Sequence, residues 1–371
     1  MTAQSEATIR QPDLDDPQPA EPKPPLDPTV LEIDDAAWDA FVARGPGTTH
    51  LQTTGWANVK RANGWLARRV ALTVDGVTLG SQILIRRAGR LPWRVGYVAR
   101  GPIGASLTAA NLGPLTERLR RDARAAGLAY LVFEPEAEAD SALETELERL
   151  GWRRTSHVQP EASRVLDLTQ PVEQLEADMR GKWRQYVNKA RRSGMRVVGG
   201  GEDRLDDFYR IYADAYRRAG VTSRSRESFS ILWQELAPRG MAHMFLAESD
   251  TGGEVQAALL LVSCGAGVAE VYGGSTPAGN LSRANYLLKW EAILRCRERG
   301  FAVYDMYGIP HAGIAHFKAG FGGREVRYVG AWELVVDRLG GAILALGNGL
   351  RLRYVRLRHG RRAERRGAES D

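Results

Sequence analysis

The chain has 371 residues, 43% of them hydrophobic, with two cysteines, six histidines and a net charge of +6. That length points to two domains with sizeable cores, and two cysteines outside any CxxC spacing exclude a disulfide framework and a zinc finger and suit a reducing cytoplasm. No apolar run reaches membrane-spanning length and the N-terminus lacks a signal-peptide pattern, while the basic balance implies an anionic partner: nucleic acid, anionic lipid or a phosphorylated substrate.

The charge is uneven. Residues 1–28 hold six acidic against two basic side chains and are rich in Pro. They read as a disordered leader. Order begins near Val30. Asp34-Asp35 starts a helix with Trp38, Phe41 and Val42 on its apolar face, and Gly45-Pro46-Gly47 ends it. Thr53 or Thr54 caps a short helix that turns Trp56 and Val59 inward. Lys60 lies one turn after Trp56, and on spacing alone it reads as a solvated helix face.

Strands follow at 66–73, 78–87 and 94–98, with hairpin turns at Asp75-Gly76 and Gly89-Arg90. The stretch from Tyr97 through Arg100-Gly101-Pro102 reads as a strand ending in a sharp turn. A helix over 107–126, a strand over 129–134, a helix over 142–150 and a strand from Trp152 to Val158 complete an α+β unit around one sheet.

Val165 to Leu168 begins a second pass. A helix from Val172 through Met179 runs on into 181–192, with Lys182, Arg184, Lys189, Arg191 and Arg192 beside Trp183 and Tyr186. A solvated basic face explains that run, and so does a patch that tracks a nucleic-acid backbone and stacks bases. A strand over 195–198 leads into Gly199-Gly200-Gly201. From Arg196 this fits the R/Q-x-x-G-x-G/A phosphate loop of acetyl-CoA N-acetyltransferases. Glu202 and Asp203 follow where a pyrophosphate would sit, and carboxylates repel it; a plain strand-to-helix turn is the other explanation. Helices over 205–219 and 226–236, strands over 242–248, 255–264 and 268–273, a helix over 285–299 and a strand over 302–306 repeat the element order of the first half. Two related α/β units in tandem are therefore expected.

After that strand comes a loop with Gly308, Pro310, His311 and Gly313, closing on Phe317-Lys318-Ala319-Gly320-Phe321-Gly322-Gly323. Glycine admits close backbone approach to a ligand. Lys318, a compact cation between aromatics, suits a phosphate or a developing negative charge. A Gly-rich turn before a strand over 327–334 is the bland alternative. The tail from Asp337 reads as an amphipathic helix through Leu339, Ile343, Leu344 and Leu346. It ends in a stretch, 351–371, with eight Arg against three acids. Docking on the first domain and contact with anionic lipid or RNA both fit.

The chain has no GxSxG elbow, no GxxxxGK[ST] loop and no Cys/His pair. Its chemistry is expected to be transfer between two bound substrates, without a covalent intermediate.

Several motifs agree in order and spacing with one family. They are Gln52…Trp56…Lys60, the KWRQYVNKARRSGMRV run from Lys182, VYGGS (271–275), NYLLKWEAI (285–293), YDMYGI (304–309) and FKAGFGG…YVG (317–330). Through them nearly the whole chain from Val30 resembles the Fem family: FemA, FemB and FemX. Between Met179 and Asn285 there is no room for a long coiled-coil arm, so it resembles FemX most.

The resemblance implies an α+β fold of two tandem GNAT-like domains, mixed sheets flanked by helices. Residues 29–166 would bind the precursor and 167–336 would face the aminoacyl-tRNA. Residues 337–371 would form a basic helix docking on the first domain. It implies an aminoacyltransferase that moves an amino acid from aminoacyl-tRNA to the stem-peptide amine of a peptidoglycan precursor, UDP-MurNAc-pentapeptide or lipid II, building the interpeptide bridge. No cofactor and no metal are implied. Lys318 and Phe317 would take the catalytic position at the tRNA end. Lys60 and Trp56 would meet the precursor's diphosphate, with Arg283 as second cation and Tyr272, Tyr286 and Asn285 lining the cleft. Lys182, Arg184, Lys189, Arg191 and Arg192 would hold the tRNA. The general base is unassigned, Asp305 and Glu270 being the nearest acids. The expected location is cytoplasmic, with weak contact of the Arg-rich C-terminus at the inner face of the membrane. A small-peptide acceptor, a coenzyme A-dependent N-acyltransferase using Arg196 to Gly201, and a non-catalytic RNA- or membrane-binding protein are the alternatives.

Overall fold

The computed structural model describes residues 34–45, 49–250 and 253–346. The expected leader over 1–28 and the whole Arg-rich stretch over 351–371 lie outside them. In chain order the elements are α1 (Asp35–Ala43), α2 (Thr54–Ala62), β1 (Leu66–Val74), β2 (Val77–Arg87), β3 (Arg94–Ala99), α3 (Ala109–Ala125), β4 (Leu128–Glu134), α4 (Ser141–Arg149), β5 (Arg153–Arg154) and β6 (Ala162–Asp167). The chain continues with α5 (Val172–Asp178), α6 (Gly181–Arg192), β7 (Met195–Gly200), α7 (Leu205–Arg218), α8 (Arg226–Leu236), β8 (Ala242–Ser249), β9 (Val255–Cys264) and β10 (Gly267–Ser275). It ends with α9 (Pro277–Ser282), α10 (Ala284–Glu298), β11 (Val303–Asp305), α11 (Ala312–Ala319), β12 (Arg324–Arg327) and β13 (Trp332–Val335).

Two mixed sheets result. The first runs β1-β2-β3-β4-β13-β5 and the second β12-β6-β11-β10-β9-β8-β7. Each contains one parallel pair, β3 with β4 and β10 with β11. The β1–β2 hairpin turns on Asp75 and Gly76, both at positive φ, the conformation that a two-residue turn needs to match strand twist. Two strands cross between the units. β6 sits in the second sheet although its sequence precedes that unit, and β13 returns to the first. Gly330, at φ +86°, separates β12 from β13, so the single strand expected over 327–334 is two strands in different sheets.

Helix starts follow the side chains. Asp34, Thr53, Asp140, Ser225 and Thr276 each accept a free amide of the helix they precede. Thr108 and Asn111 form a reciprocal capping box on α3. α3 and α4 pack Leu112, Leu115, Leu119 and Leu147 onto the first sheet against Phe133, Trp152 and Trp332. α10 lies across the second sheet and buries Leu287, Leu288, Trp290 and Ile293 with Trp183 and Val187 of α6. A third core joins the units: Trp56 and Tyr97 meet Phe208, Tyr212, Phe229 and Tyr272.

Four expectations are corrected. The strand over 152–158 shrinks to β5, because the amides of Val158 and Gln159 bond the Glu134 carboxylate instead of a neighbouring strand. The helix over 172–192 is broken at extended Met179 and Arg180, where the Arg180 amide bonds the Gly320 carbonyl. The stretch containing Lys318 is a helix, α11, whose first turn is capped by the His311 ring; Gly322 and Gly323, at positive φ, follow its end. The Arg196 to Gly200 stretch is no phosphate loop. It is an edge strand bonded to β8 throughout, with Arg196 paired to Glu248 at 3.0 Å.

Candidate active site

Parallel β11 ends at Asp305, and the chain turns sharply at Tyr307 (φ +49°) and Gly308 (φ +65°). A tyrosine in that conformation is strained and must be held. The Asp305 carboxylate accepts the Tyr307 amide at 2.7 Å. Lys318 reaches back from α11 and donates to the carbonyls of Met306 (2.7 Å), Gly308 (2.6 Å) and Tyr307. Its side chain is buried, and burial lowers its pKa to about 8. Lys318 is thus a clamp on the turn rather than an open cation.

From this turn a polar chain runs into the first unit. The Tyr307 hydroxyl donates to Gln159 Oε1. Gln159 Nε2 donates to the Tyr97 hydroxyl at 3.0 Å, which donates to Glu134 at 2.7 Å. Asp305 also accepts from Ser163. Arg100, at φ +54° just after β3, donates to the Pro160 carbonyl at 2.5 Å and stacks 3.9 Å from the Tyr328 ring. Burial pushes the Asp305 and Glu134 carboxyls upward. The ends of β3, β4 and β11 therefore converge on one buried network between the sheets.

A second buried cluster lies beside it. Glu270, at a bulge in β10, accepts both from Lys289 of α10 (Oε2 at 2.5 Å) and from the Tyr304 hydroxyl at 2.9 Å. The Lys289 ammonium stands 5.5 Å from the Phe317 ring centre. The two acids nearest the predicted site, Asp305 and Glu270, both have close partners.

Over these clusters stands an aromatic shelf. Tyr286 meets Tyr186, Phe317 and Trp183 edge-on at 4.9, 5.0 and 5.3 Å. Trp183 meets His316 at 5.4 Å and donates to the Phe317 carbonyl. Cations flank it: Arg283 lies 4.3 Å from the Tyr186 ring centre, Lys182 5.8 Å from the same ring, and Arg180 5.6 Å from Trp183. Arg283 occupies the left-handed position before α10 and donates to the Asn280 carbonyl. Arg283 Nε and Asn285 Oδ1 are buried without a hydrogen-bond partner among the described residues. Lys182, Lys189, Arg191 and Arg192 are exposed, Arg191 pairing with Glu291. Arg184 turns back onto the carbonyls of Glu176 and Met179, both at 2.7 Å, closing the end of α5.

Of the other predicted residues, Trp56 and Tyr272 lie in the core that joins the units. Lys60 stands 5.3 Å from the Trp56 ring centre, and Trp56 meets His50 edge-on. Tyr272 packs on Phe229 at 5.1 Å, with the Arg224 guanidinium 5.4 Å from its ring centre. The structure thus brings Trp56 and Tyr272 into one cluster, with Lys60 against the Trp56 ring. It groups Arg283, Tyr286, Asn285 and Phe317 in another, around α10 and α11. Arg100, Arg224, Lys289 and Tyr307 were missed. Arg100-Gly101-Pro102 at a strand end was the legible signal for the first, since such a turn forces unusual dihedrals. The others carry no spacing that marks them. No group of His, Cys, Asp or Glu among the described residues could hold a metal ion.

A family model described as the FemAB family matches residues 33–251 and 241–346. The lipid II:glycine glycyltransferase of Staphylococcus haemolyticus (strain JCSC1435) is 26% identical over 229 residues, 59% of this chain and 55% of that protein. The enzyme of the same name from Staphylococcus aureus (strain MRSA252) is 25% identical over 231 residues. The chain spans about half the length of these relatives. Among solved structures, FemX superposes with a TM-score of 0.75 at 20% identity, covering 83% of this chain and 97% of that one. A tandem GNAT protein from the clavulanic acid biosynthesis pathway gives 0.50 at 12% identity, covering 81% and 94%. The fold is that of two tandem GNAT-like units, with no coiled-coil arm among the described residues.

Proposed function

Because this chain belongs to the FemAB family, we propose that it is an aminoacyltransferase that moves an amino acid from aminoacyl-tRNA to the stem-peptide amine of a peptidoglycan precursor. The observation that carries this reading is the shelf of Trp183, Tyr186, Tyr286 and Phe317, edged by Lys182 and Arg283, beside the Lys318-clamped turn. An aromatic shelf with cations at its edge suits the unpaired end of an RNA, since every base offers a π face and every nucleotide a phosphate. The names of the staphylococcal relatives support a lipid-linked acceptor.

The reaction needs no nucleophile from the protein. The acceptor amine attacks the ester carbonyl, a tetrahedral intermediate forms, the bond from the carbonyl carbon to the ribose oxygen breaks, and the proton lost by the amine ends on that ribose oxygen as the amide forms. Positioning and charge stabilisation supply the rate. In this scheme Lys318 acts by fixing the Met306 to Gly308 turn. Exposed Lys182, Lys189, Arg191 and Arg192 carry the tRNA backbone. Lys60, against Trp56, serves the precursor's diphosphate, and Arg224, against Tyr272 of the core that joins the units, replaces Arg283 as the second cation. No side chain is assigned as general base, since Asp305 and Glu270 are engaged.

The test is transfer of radiolabelled amino acids from a charged tRNA pool to lipid-linked and nucleotide-linked precursors. Labelling that RNase abolishes and that falls in Tyr186→Ala supports the reading. Labelling that persists after RNase treatment, or that requires acetyl-CoA, overturns it.

A further inference from the structure

Tyr307 stands between the two clusters that the transfer reaction would use. On one side the Lys318 ammonium, next in sequence to Phe317 of the aromatic shelf, holds its carbonyl, and the Asp305 carboxylate holds its amide. On the other side its ring centre lies 6.5 Å from that of His50. His50 meets Trp56 edge-on at 5.3 Å, and the Lys60 ammonium stands 5.3 Å from the Trp56 ring centre. Backbone strain such as the φ of +49° at this tyrosine persists only where the surroundings enforce it, and it gathers at functional sites.

The proton of the Tyr307 hydroxyl is already committed, and Glu134 at the far end of the polar chain decides this. Glu134 accepts the Tyr97 hydroxyl at 2.7 Å and the amides of Val158 and Gln159 at 3.1 and 3.0 Å. An ionised carboxylate has only lone pairs to give. Burial raises the Glu134 carboxyl, while the Tyr97 hydroxyl, the Arg100 guanidinium and the two amides favour its charged form. The Tyr97 proton therefore points at Glu134, and the Tyr97 oxygen accepts from Gln159 Nε2 at 3.0 Å. That orients the Gln159 amide, so its Oε1 faces Tyr307 and accepts the Tyr307 hydroxyl. Burial pushes both phenols upward, so both keep their protons. The chain is sealed at the Glu134 end, where Tyr97 and Glu134 are buried, and opens toward half-buried Tyr307. Tyr307 thus offers a ligand a lone pair and no proton.

We propose that the Tyr307 oxygen accepts an N–H of the attacking amine, and that Gln159 and Glu134 are positioning residues that keep it an acceptor. The inference rests on the aminoacyl-transfer reading and adds a residue to it. A neutral primary amine has two N–H groups and one lone pair, and the lone pair must reach the ester carbon. A hydroxyl that donated to this nitrogen would occupy that lone pair. An oxygen that accepts from it leaves the lone pair free and fixes its direction, which is the positioning that this chemistry needs. The same hydroxyl does not serve the developing oxyanion, because its proton is held by Gln159.

The experiment compares Tyr307→Phe, Glu134→Gln and the double variant in the transfer assay, with acceptor and charged tRNA varied in turn. Tyr307→Phe should lower kcat about tenfold, the effect of one lost hydrogen bond, and move KM for charged tRNA by less than about twofold. Its unfolding temperature should stay within about 3 °C of the wild type. Glu134→Gln sets an amide NH2 against the Tyr97 oxygen and reverses the chain. Tyr97 then donates to Gln159, Gln159 Nε2 donates to Tyr307, and the Tyr307 proton turns to the amine. This variant should be slower than Tyr307→Phe. Adding Tyr307→Phe removes the misdirected proton, so the double variant should recover to the rate of Tyr307→Phe alone, which a merely structural role of Glu134 does not predict. A wild type that transfers no amino acid overturns the transfer reading itself. An active wild type with undiminished kcat in Tyr307→Phe overturns this inference alone. So does a double variant whose loss is the product of the two single losses, the pattern of independent sites. A Tyr307→Phe variant that loses kcat together with thermal stability and tRNA affinity also overturns it, because Tyr307 would then serve only the turn.

Discussion

The Lys318 ammonium closes on the carbonyl of Tyr307, eleven residues earlier in the chain, in the turn that follows β11. Met306 and Gly308 offer their carbonyls to the same nitrogen. Three converging carbonyl dipoles repel one another without a cation among them. A buried ammonium without acceptors is costly in turn. The lysine and the strained turn therefore hold each other in place at the mouth of the parallel β10–β11 pair.

Replacing Lys318 with Met keeps the stem and removes the ammonium. Three buried carbonyls lose their donor, so stability should fall by about 2–4 kcal/mol. Urea unfolding measures this directly. A loss under about 0.5 kcal/mol, within the range of ordinary surface substitutions, would mean that the turn holds itself.

Acid should weaken the fold through His243. Burial, reinforced by the Arg299 guanidinium at 3.0 Å, lowers its pKa from 6.5 to about 4. The unfolded chain then binds more protons than the folded one between those values, so stability is full above pH 6.5 and declines as pH falls toward 4. The loss should be on the order of 2–3 kcal/mol. His243→Gln, which retains a polar contact toward Ser263, should flatten that part of the pH–stability curve. An unchanged slope would assign the acid sensitivity to other groups.

The two clusters predict separable kinetic defects. Arg283→Ala or Tyr186→Ala should raise KM for the charged tRNA by roughly tenfold, the worth of one stacked base, and leave acceptor KM alone. Lys60→Ala or Arg224→Ala should do the reverse. Steady-state kinetics with each substrate varied in turn checks this. If Arg283→Ala raised acceptor KM instead, the assignment of the second cation to Arg224 would be wrong.

Much of this was legible in the sequence, for identifiable reasons. The Asp75-Gly76 hairpin, the capped helix starts and the apolar face of α10 follow from local rules that tertiary packing did not overrule. The failures were non-local. Glu134 takes the amides of Val158 and Gln159 from 24 and 25 residues away, which removes a strand that period-2 patterning predicts. Gly330 sends β13 to the other sheet, and nothing in the run from Arg327 to Leu334 distinguishes one sheet from two. At the site, Lys318 was visible as an isolated cation among glycines. Its partners were not, because carbonyl groups carry no residue identity. Lys289 is one of several charged residues on α10, nothing in its spacing marks it as buried, and its pairing with Glu270 depends on a bulge that composition does not reveal.

That buried pair supplies the sharpest stability test. Lys289 and Glu270 are respectively 4% and 9% exposed at the side chain. Removing one partner strands the other's charge, so Glu270→Gln should cost about 3–5 kcal/mol. Lys289→Met in the Glu270→Gln background removes the stranded ammonium and places an apolar chain beside Phe317, 5.5 Å from where the cation stood. The double variant should therefore be more stable than the single one by at least about 1 kcal/mol, although it has lost the whole ion pair. Chemical denaturation of the wild type, both single variants and the double variant gives the coupling. Additive losses would mean that water or another group satisfies Lys289 once Glu270 is gone.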